Sequence, residues 1–157
     1  GALCFVFSGN GAQYAGMATA ALRHSARFRA ALAQVDAALA PLLGWSPLAR
    51  LEAGVTAEDL AATEVAQPTL FAVQAALLAP LADQGLRPAM AVGHSVGEVA
   101  AACAAGLLDL ESAARLVVAR SARQALTAGR GRMAALQTAA EEAAALPAAT
   151  GVDLAAV

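Results

Sequence analysis

A serine set between two glycines, directly after an apolar run, constrains this chain more than any other feature. Residues 89–93 (AMAVG) are apolar, the motif GHSVG occupies 93–97, and an alanine-rich stretch with a helical pattern extends to residue 105. The order strand, G-x-S-x-G, helix is that of a nucleophile elbow, a sharp turn in which glycines are needed because a Cβ would clash. We therefore predict that Ser95 is a nucleophile. The alternative is a glycine-rich turn with an incidental serine.

The rest of the chain alternates short apolar runs with helical segments. Residues 3–8 form a second strand candidate, expected to be buried on both faces, and Asp109 caps a helix that runs to about residue 128. Helices are also predicted over 18–39, 57–62 and 68–85. In the last of these, Pro68 fits the first turn, and Pro80 is expected to kink the helix or end it early. Towards the end of the sequence, a helical segment around 141–146 is flanked by short strands predicted over 133–136 and 152–157. This order predicts an α/β fold with an open parallel sheet.

Charge and composition exclude several classes of function. The 157 residues carry a net charge of −2, and all ten basic residues are arginine. This balance argues against nucleic acid and anionic membranes as partners, and the lack of lysine removes a P-loop lysine and Schiff-base chemistry. We find neither a signal-peptide pattern nor an uninterrupted apolar span, and predict a cytoplasmic protein. Cys4 and Cys103 are expected to be buried thiols in a reducing compartment, with a disulfide or a reactive role as the alternative.

A second glycine loop follows the first strand candidate. Residues 7–17 read FSGNGAQYAGM and contain Gln13. Ligands bind beyond the carboxyl ends of the strands in an open parallel sheet, so this loop and the turn at Ser95 should meet there. The third glycine of a dinucleotide fingerprint is missing at its proper spacing, which argues against a nucleotide loop.

The chain resembles the malonyl-CoA:acyl carrier protein transacylases and the acyltransferase domains of modular polyketide and fatty acid synthases. The resemblance rests on four motifs in order: FVFSGNGAQYAGM, TEVAQPTLFA, VGHSVGEVAAACAAGLLDLESAARLVVARS and GRGRMAAL. Two residues depart from the family pattern, Asn10 where glutamine is common and Arg132 where a small residue is usual. The resemblance implies an α/β-hydrolase-like nucleophile elbow, with residues 1–129 in a large α/β subdomain and 130–157 beginning a small ferredoxin-like α+β subdomain.

The same resemblance implies roles for individual residues. Ser95 would carry the acyl group, and the backbone amides of Gln13 and Val96 would form the oxyanion hole. His94 is the histidine of the motif and a catalytic candidate, although neighbouring side chains diverge around a sharp turn, which favours a packing or hydrogen-bonding role. Gln67 and Met133 are candidate substrate-binding residues, and for Gln67 a structural role at the start of a helix is an equal alternative.

Arg120 is predicted to bind the substrate's carboxylate. It falls three residues after Val117 and four after Leu116, on the apolar side of its helix, whereas Arg115 pairs with Glu111 four residues earlier. A buried arginine needs an anionic partner because its charge cannot be removed. The resemblance supplies the free carboxylate of a malonyl-type extender as that partner. The alternative is a snorkelling or ion-paired arginine.

The expected activity is transfer of a malonyl unit from coenzyme A to the phosphopantetheine thiol of an acyl carrier protein domain, with neighbouring synthase domains as partners. We expect no bound cofactor and no metal, the coenzyme A thioester being a substrate. In the family the catalytic histidine follows later than residue 157, so these residues alone are expected to be inactive. The resemblance also implies malonyl rather than methylmalonyl as the extender, because in the family a branched aliphatic residue after the nucleophile, here Val96, goes with malonyl units. The alternatives are an esterase or thioesterase of the α/β-hydrolase type and a non-catalytic scaffold module.

Overall fold

The computed structural model describes residues 2–131, 134, 136–150 and 153. The chain forms two compact units, Gly1–Thr127 and Ala128–Val157. In the second unit the described residues include the helix α7, Ala140–Thr150. The strands expected over 133–136 and 152–157 fall for the most part outside the described residues. They stay predictions, as do the ferredoxin-like subdomain and the division of domains at residue 129.

The first unit contains a parallel pair of strands, which confirms the predicted sheet direction. Strand β1 (Cys4–Phe7) pairs with β2 (Met90–Gly93), with Cys4 opposite Met90 and Phe7 opposite Gly93. Since the strands run in the same direction, the segments that follow them leave the sheet at one edge.

One face of this sheet is exposed in the described part of the chain. This open face is formed by Cys4, Val6, Met90 and Val92, of which Val6 is 75% and Val92 54% exposed. The expectations that β1 is buried on both faces and that Cys4 is a buried thiol are therefore wrong. Helix α5 packs against both strands from the other side.

Six helices belong to the first unit: α1 (Thr19–His24), α2 (Ala26–Leu43), α3 (Pro47–Ala53), α4 (Thr63–Asp83), α5 (Gly97–Ala104) and α6 (Leu110–Ala125). The predicted helix over 18–39 is divided at Ser25, whose hydroxyl accepts a hydrogen bond from the backbone N–H of Phe28 and so caps α2. Helix α3, capped by Ser46, was not predicted. A 3₁₀ turn, Asp59–Ala61, replaces the helix expected over 57–62.

Helix α4 is the central helix of the core and packs against both α2 and α6. It begins at Thr63, five residues before Pro68, so the predicted start is wrong. A proline removes one backbone donor from the helix ladder, and the packing of a largely buried helix offsets that loss at Pro68 and Pro80. By length and composition alone α4 could cross a membrane, but 56% of its apolar window is buried inside the protein, as in a core helix.

Candidate active site

The turn between β2 and α5 places Ser95 in a strained backbone conformation. β2 ends at Gly93, α5 begins at Gly97, and Ser95 lies between them with a φ of 57°. A residue with a Cβ rarely adopts this left-handed region, and such residues concentrate at functional sites because the surroundings must hold them there. The side chain of Ser95 is half-buried.

Both glycines of the motif are required by close approach of the backbone. A Cβ at Gly93 would lie 2.3 Å from the backbone nitrogen of Glu98 in α5. A Cβ at Gly97 would lie 2.3 Å from the carbonyl oxygen of Phe7 at the end of β1. The predicted reason for these glycines is thus correct, since only glycine lets the turn, α5 and β1 pack so closely.

The loop that follows β1 meets the turn at Ser95, as predicted. A Cβ on Gly9 would lie 3.0 Å from the Cβ of Ser95 and 2.6 Å from Nδ1 of His94. The backbone N–H of His94 also donates to the carbonyl of Phe7 at 2.9 Å. Gly9 therefore forms one wall of the site and is covered by the His94 side chain.

Neither histidine of the chain hydrogen-bonds to Ser95. His94 is exposed, and its ring lies against Gly9 rather than against the serine hydroxyl. His24 is the exposed last residue of α1. The structure is consistent with the packing alternative for His94, and its candidacy as a catalytic residue remains an untested prediction.

Gln13 lies further along the same loop, with its side chain engaged in holding the loop together. Its Oε1 accepts from the backbone N–H of Gly11 at 2.7 Å, and its Nε2 donates to the carbonyl of Leu60 at 3.5 Å. Within the described part of the chain, the backbone N–H groups of Gln13 and Val96 donate no hydrogen bond to the protein. Both groups are therefore left for another acceptor. The side chain of Val96 itself is fully buried.

Arg120 reaches the candidate nucleophile directly. It is half-buried on α6, and its Nη2 donates to Oγ of Ser95 at 2.8 Å. Among the described residues no carboxylate pairs with Arg120, whereas Arg115 pairs with Glu111 as predicted, at 3.9 Å. All hydrogen-bond partners found for Arg120 are neutral oxygens, so its charge is uncompensated at the site. The predicted neighbour Leu116 is 47% exposed, so the buried side of α6 is the one that carries Val117 and Ser121.

Two glutamines complete the surroundings of Arg120. Gln67 is completely buried in α4, and its Oε1 accepts from Arg120 Nη1 at 2.5 Å. Oε1 of Gln124 accepts from Arg120 Nη1 at 3.1 Å and from Gln67 Nε2 at 2.7 Å. Gln67 thus reaches the site, and it does not start a helix. Gln124 was not predicted, although it lies four residues after Arg120 on α6, the spacing at which helical side chains meet.

Of the predicted site residues, Met133 lies outside the described residues, as does Arg132. The structure brings Ser95, Arg120 and Gln67 together and places Gln13 on the loop that starts at Gly9. Val96 follows Ser95 at the entry to α5.

Comparisons with known proteins place this chain in a family. A model of the acyl transferase domain matches residues 4–157. The polyketide synthase GfsE of Streptomyces halstedii is 45% identical over 138 residues, which are 88% of this chain and 4% of that protein. The acyltransferase domain of the polyketide synthase PpsC of Mycobacterium tuberculosis is similar with a TM-score of 0.87 and 36% identity, over 96% of this chain and 45% of that one.

A further similar chain comes from a complex of a type II polyketide synthase acyl-carrier protein with its malonyl-transacylase. Its TM-score is 0.67 and its identity 29%, over 78% of this chain and 38% of that one. The chain therefore spans a small part of the curated synthase and less than half of the solved chains. Because the family model covers nearly all of its residues, this chain belongs to the acyl transferase domain family and is related to the acyltransferase domains of polyketide synthases.

Proposed function

We propose that this chain carries the nucleophile and the carboxylate-binding arginine of an acyltransferase that moves a malonyl-type unit from coenzyme A to an acyl carrier protein. Ser95 is the nucleophile, Arg120 holds the free carboxylate of the substrate, and the backbone N–H groups of Gln13 and Val96 stabilise the oxyanion. The oxyanion assignment is supported by the lack of any intramolecular acceptor for these two groups within the described residues.

The observation that carries the proposal is the contact between Arg120 and Ser95. In a malonyl thioester one methylene separates the carboxylate from the carbonyl that is attacked. The group that binds the carboxylate must therefore lie next to the nucleophile, and Arg120 Nη2 lies 2.8 Å from Ser95 Oγ. The absence of a carboxylate partner for Arg120 among the described residues supports an anionic substrate, because a half-buried guanidinium without a counter-charge favours an anion.

The reaction proceeds in two balanced half-reactions. Ser95 Oγ attacks the thioester carbonyl, the C–S bond breaks, and coenzyme A leaves as the thiol with the proton that the serine lost. The phosphopantetheine thiol of the carrier then attacks the serine ester, the C–O bond breaks, and its proton returns to Ser95. One covalent intermediate links the two steps, so the kinetics are ping-pong.

Among the described residues we find no base hydrogen-bonded to Ser95 that could take its proton. Neither His24 nor His94 hydrogen-bonds to Ser95, and Arg120 cannot accept a proton. We expect little or no turnover from the 157 residues alone, since removing a member of a catalytic triad lowers the rate about a thousandfold or more. Carrier protein and neighbouring synthase domains are the proposed partners, supported by the similar malonyl-transacylase and synthase.

The choice of extender is proposed to be malonyl. Val96 follows the nucleophile, but its side chain is fully buried, so it acts on the substrate through its backbone and through packing. A single methyl group changes the binding free energy by only about 1–3 kcal/mol. We therefore expect weaker discrimination between malonyl and methylmalonyl than between malonyl and acetyl. A competition between malonyl-CoA and methylmalonyl-CoA measures it, and preference for methylmalonyl would contradict only the role given to Val96.

The function is tested by loading the complete protein to which this sequence belongs with malonyl-CoA and with acetyl-CoA, followed by intact mass spectrometry. We expect a stable malonyl adduct that Ser95→Ala abolishes. Arg120→Ala should lower malonyl loading about a hundredfold without lowering acetyl loading, since a hydrogen bond to a charged group contributes about 1.5–3 kcal/mol. Arg115→Ala, on the exposed side of the same helix, is the matched control.

Two other outcomes would favour the alternatives. Release of free malonic acid with no transfer to a carrier protein would indicate an esterase or thioesterase. Absence of any adduct in the unmutated protein would indicate a scaffold module.

A further inference from the structure

Gln124 forms, with Gln67, an amide clamp on one side of the Arg120 guanidinium. Gln124 Oε1 accepts from Arg120 Nη1 at 3.1 Å, and Gln67 Oε1 accepts from the same nitrogen at 2.5 Å. Gln67 Nε2 also donates to Gln124 Oε1 at 2.7 Å. Because two donors converge on Gln124, its amide oxygen rather than its nitrogen must face them.

The amide clamp leaves the opposite side of the guanidinium for the substrate. Nη1 has two N–H donors, and both are taken by the two glutamines. Nη2 points to Ser95, and within the described residues no hydrogen bond is found for Nε. The second N–H of Nη2 and the N–H of Nε are therefore left as two donors for a carboxylate.

The neutrality of the clamp matters as much as its geometry. A glutamine holds the guanidinium in place without cancelling its charge, whereas a carboxylate at the same position would pair with it and compete with the substrate. We propose that Gln124 is a positioning residue that confers selectivity for carboxylate-bearing acyl groups by fixing Arg120 through neutral hydrogen bonds. This inference rests on the proposed malonyl transfer and goes beyond it, because it assigns the selectivity to a residue that need not touch the substrate.

Two nearly isosteric variants test the role in the complete protein. Gln124→Met keeps the size of the side chain and removes the acceptor. Gln124→Glu keeps the acceptor and adds a charge. We expect both to raise the malonyl-CoA concentration for half-maximal loading of Ser95 about tenfold or more, with little change in the maximal rate. Acetyl-CoA loading should stay within about twofold, since an acetyl group has no carboxylate for Arg120 to bind.

The control is Arg123→Met, which changes an exposed residue on the same helix and should leave both substrates unaffected. Binding of free malonate, measured by calorimetry, gives a second readout that needs no turnover and should weaken by the same factor. Unchanged malonyl loading in both variants, or an equal loss for malonyl and acetyl, would overturn the role of Gln124 while leaving the transferase function intact. Failure of the unmutated protein to load either thioester would overturn the proposed function and this inference together.

Discussion

Ser95, the proposed nucleophile, is also a residue with a strained backbone. Its φ of 57° costs about 1–2 kcal/mol for a residue with a Cβ, so the contacts around it must hold the turn in place. Those contacts come from the close fit of Gly93 and Gly97 against α5 and the end of β1. The turn places Ser95 just after the end of β2, where the loop at Gly9 also arrives.

The fit at Gly97 gives the first prediction at this scale. Gly97→Ala should destabilise the protein by about 1–3 kcal/mol or more, because its Cβ would lie within 2.3 Å of the Phe7 carbonyl and the backbone must move. Gly131→Ala is the matched control, since a Cβ there would meet nothing within 4 Å. Urea unfolding of both variants measures the difference. Equal midpoints would show that α5 and β1 do not pack as closely as described.

Ser95 and Arg120 can be singled out from the sequence alone, whereas Gln124 cannot. Ser95 stands in a motif with glycines, and Arg120 is a charge on an apolar side of a helix, so both are visible in the sequence. Gln124 is a common residue near the end of α6, and only its position beside Gln67 gives it a partner. That contact joins two helices distant in the chain, which periodicity cannot reveal.

At the scale of elements, α6 is the helix on which the site depends most, since it carries both Arg120 and Gln124. Its N-cap is Asp109, whose carboxylate accepts the backbone N–H of Ser112 at 2.7 Å. This hydrogen bond holds the pKa of Asp109 below its ordinary value, and the positive charge of Arg115 adds to the effect. The cap was predicted because aspartate before an amphipathic run is a common helix start.

The cap makes the stability of α6 dependent on pH. The folded-state pKa is lowered, so the stabilisation is fully present above the unfolded pKa, near 4, and is lost as the pH falls through the folded value. We expect Asp109→Ala to lower the thermal midpoint at pH 7, with the difference from the unmutated protein shrinking below about pH 4. Asp109→Asn keeps an acceptor without a titrating group and is the control. A difference that stays constant from pH 7 to 3 would contradict the role of the carboxylate.

Element boundaries were the less predictable part of the fold. The apolar positions of α2, including Phe28, Leu32 and Leu39, are buried as the pattern indicated. Pro68 was assigned to a first helical turn because proline fits there, but α4 starts at Thr63 and is held by its packing against α2 and α6. Tertiary packing therefore overrode a local preference, which a single sequence does not display.

At the scale of the whole molecule, the first unit exposes an apolar surface on its sheet, the open face of Cys4, Val6, Met90 and Val92. Exposed apolar side chains on adjacent strands form a patch of the kind that other protein surfaces cover. The pair of strands was predicted from two apolar runs. Those runs do not show which face of the sheet is buried, because that depends on the elements that pack against the sheet.

The rates at which the two cysteine thiols are modified measure the exposure of this surface. Cys4 lies on the open face, whereas Cys103 is half-buried, and burial raises the pKa of the Cys103 thiol, with the charge of Asp109 adding to the rise. In the 157-residue chain we expect iodoacetamide at pH 7.5 to modify Cys4 at least about tenfold faster than Cys103, because access and thiolate fraction both disfavour Cys103. Peptide mass spectrometry measures the two rates, with urea-unfolded protein as the control.

The same measurement on the complete protein tests whether the open face is covered there. Slow modification of Cys4 would show that further residues pack on it. Faster modification of Cys103 than of Cys4 in the isolated chain would contradict the burial of the two thiols described above.

The pairing of Cys4 with Met90 also sets the order of events during synthesis. Helices α1 to α4 lie between the two strands in the chain, so β1 leaves the ribosome long before its partner exists. Contacts between such distant residues form slowly, because closing the long intervening loop costs entropy before the contact is made. The turn at Ser95 follows β2 directly, and its glycines pack on the end of β1. The turn at Ser95 can therefore complete its packing on β1 only after β2 and α5 have been synthesised, and β1 stays without its partner strand until then.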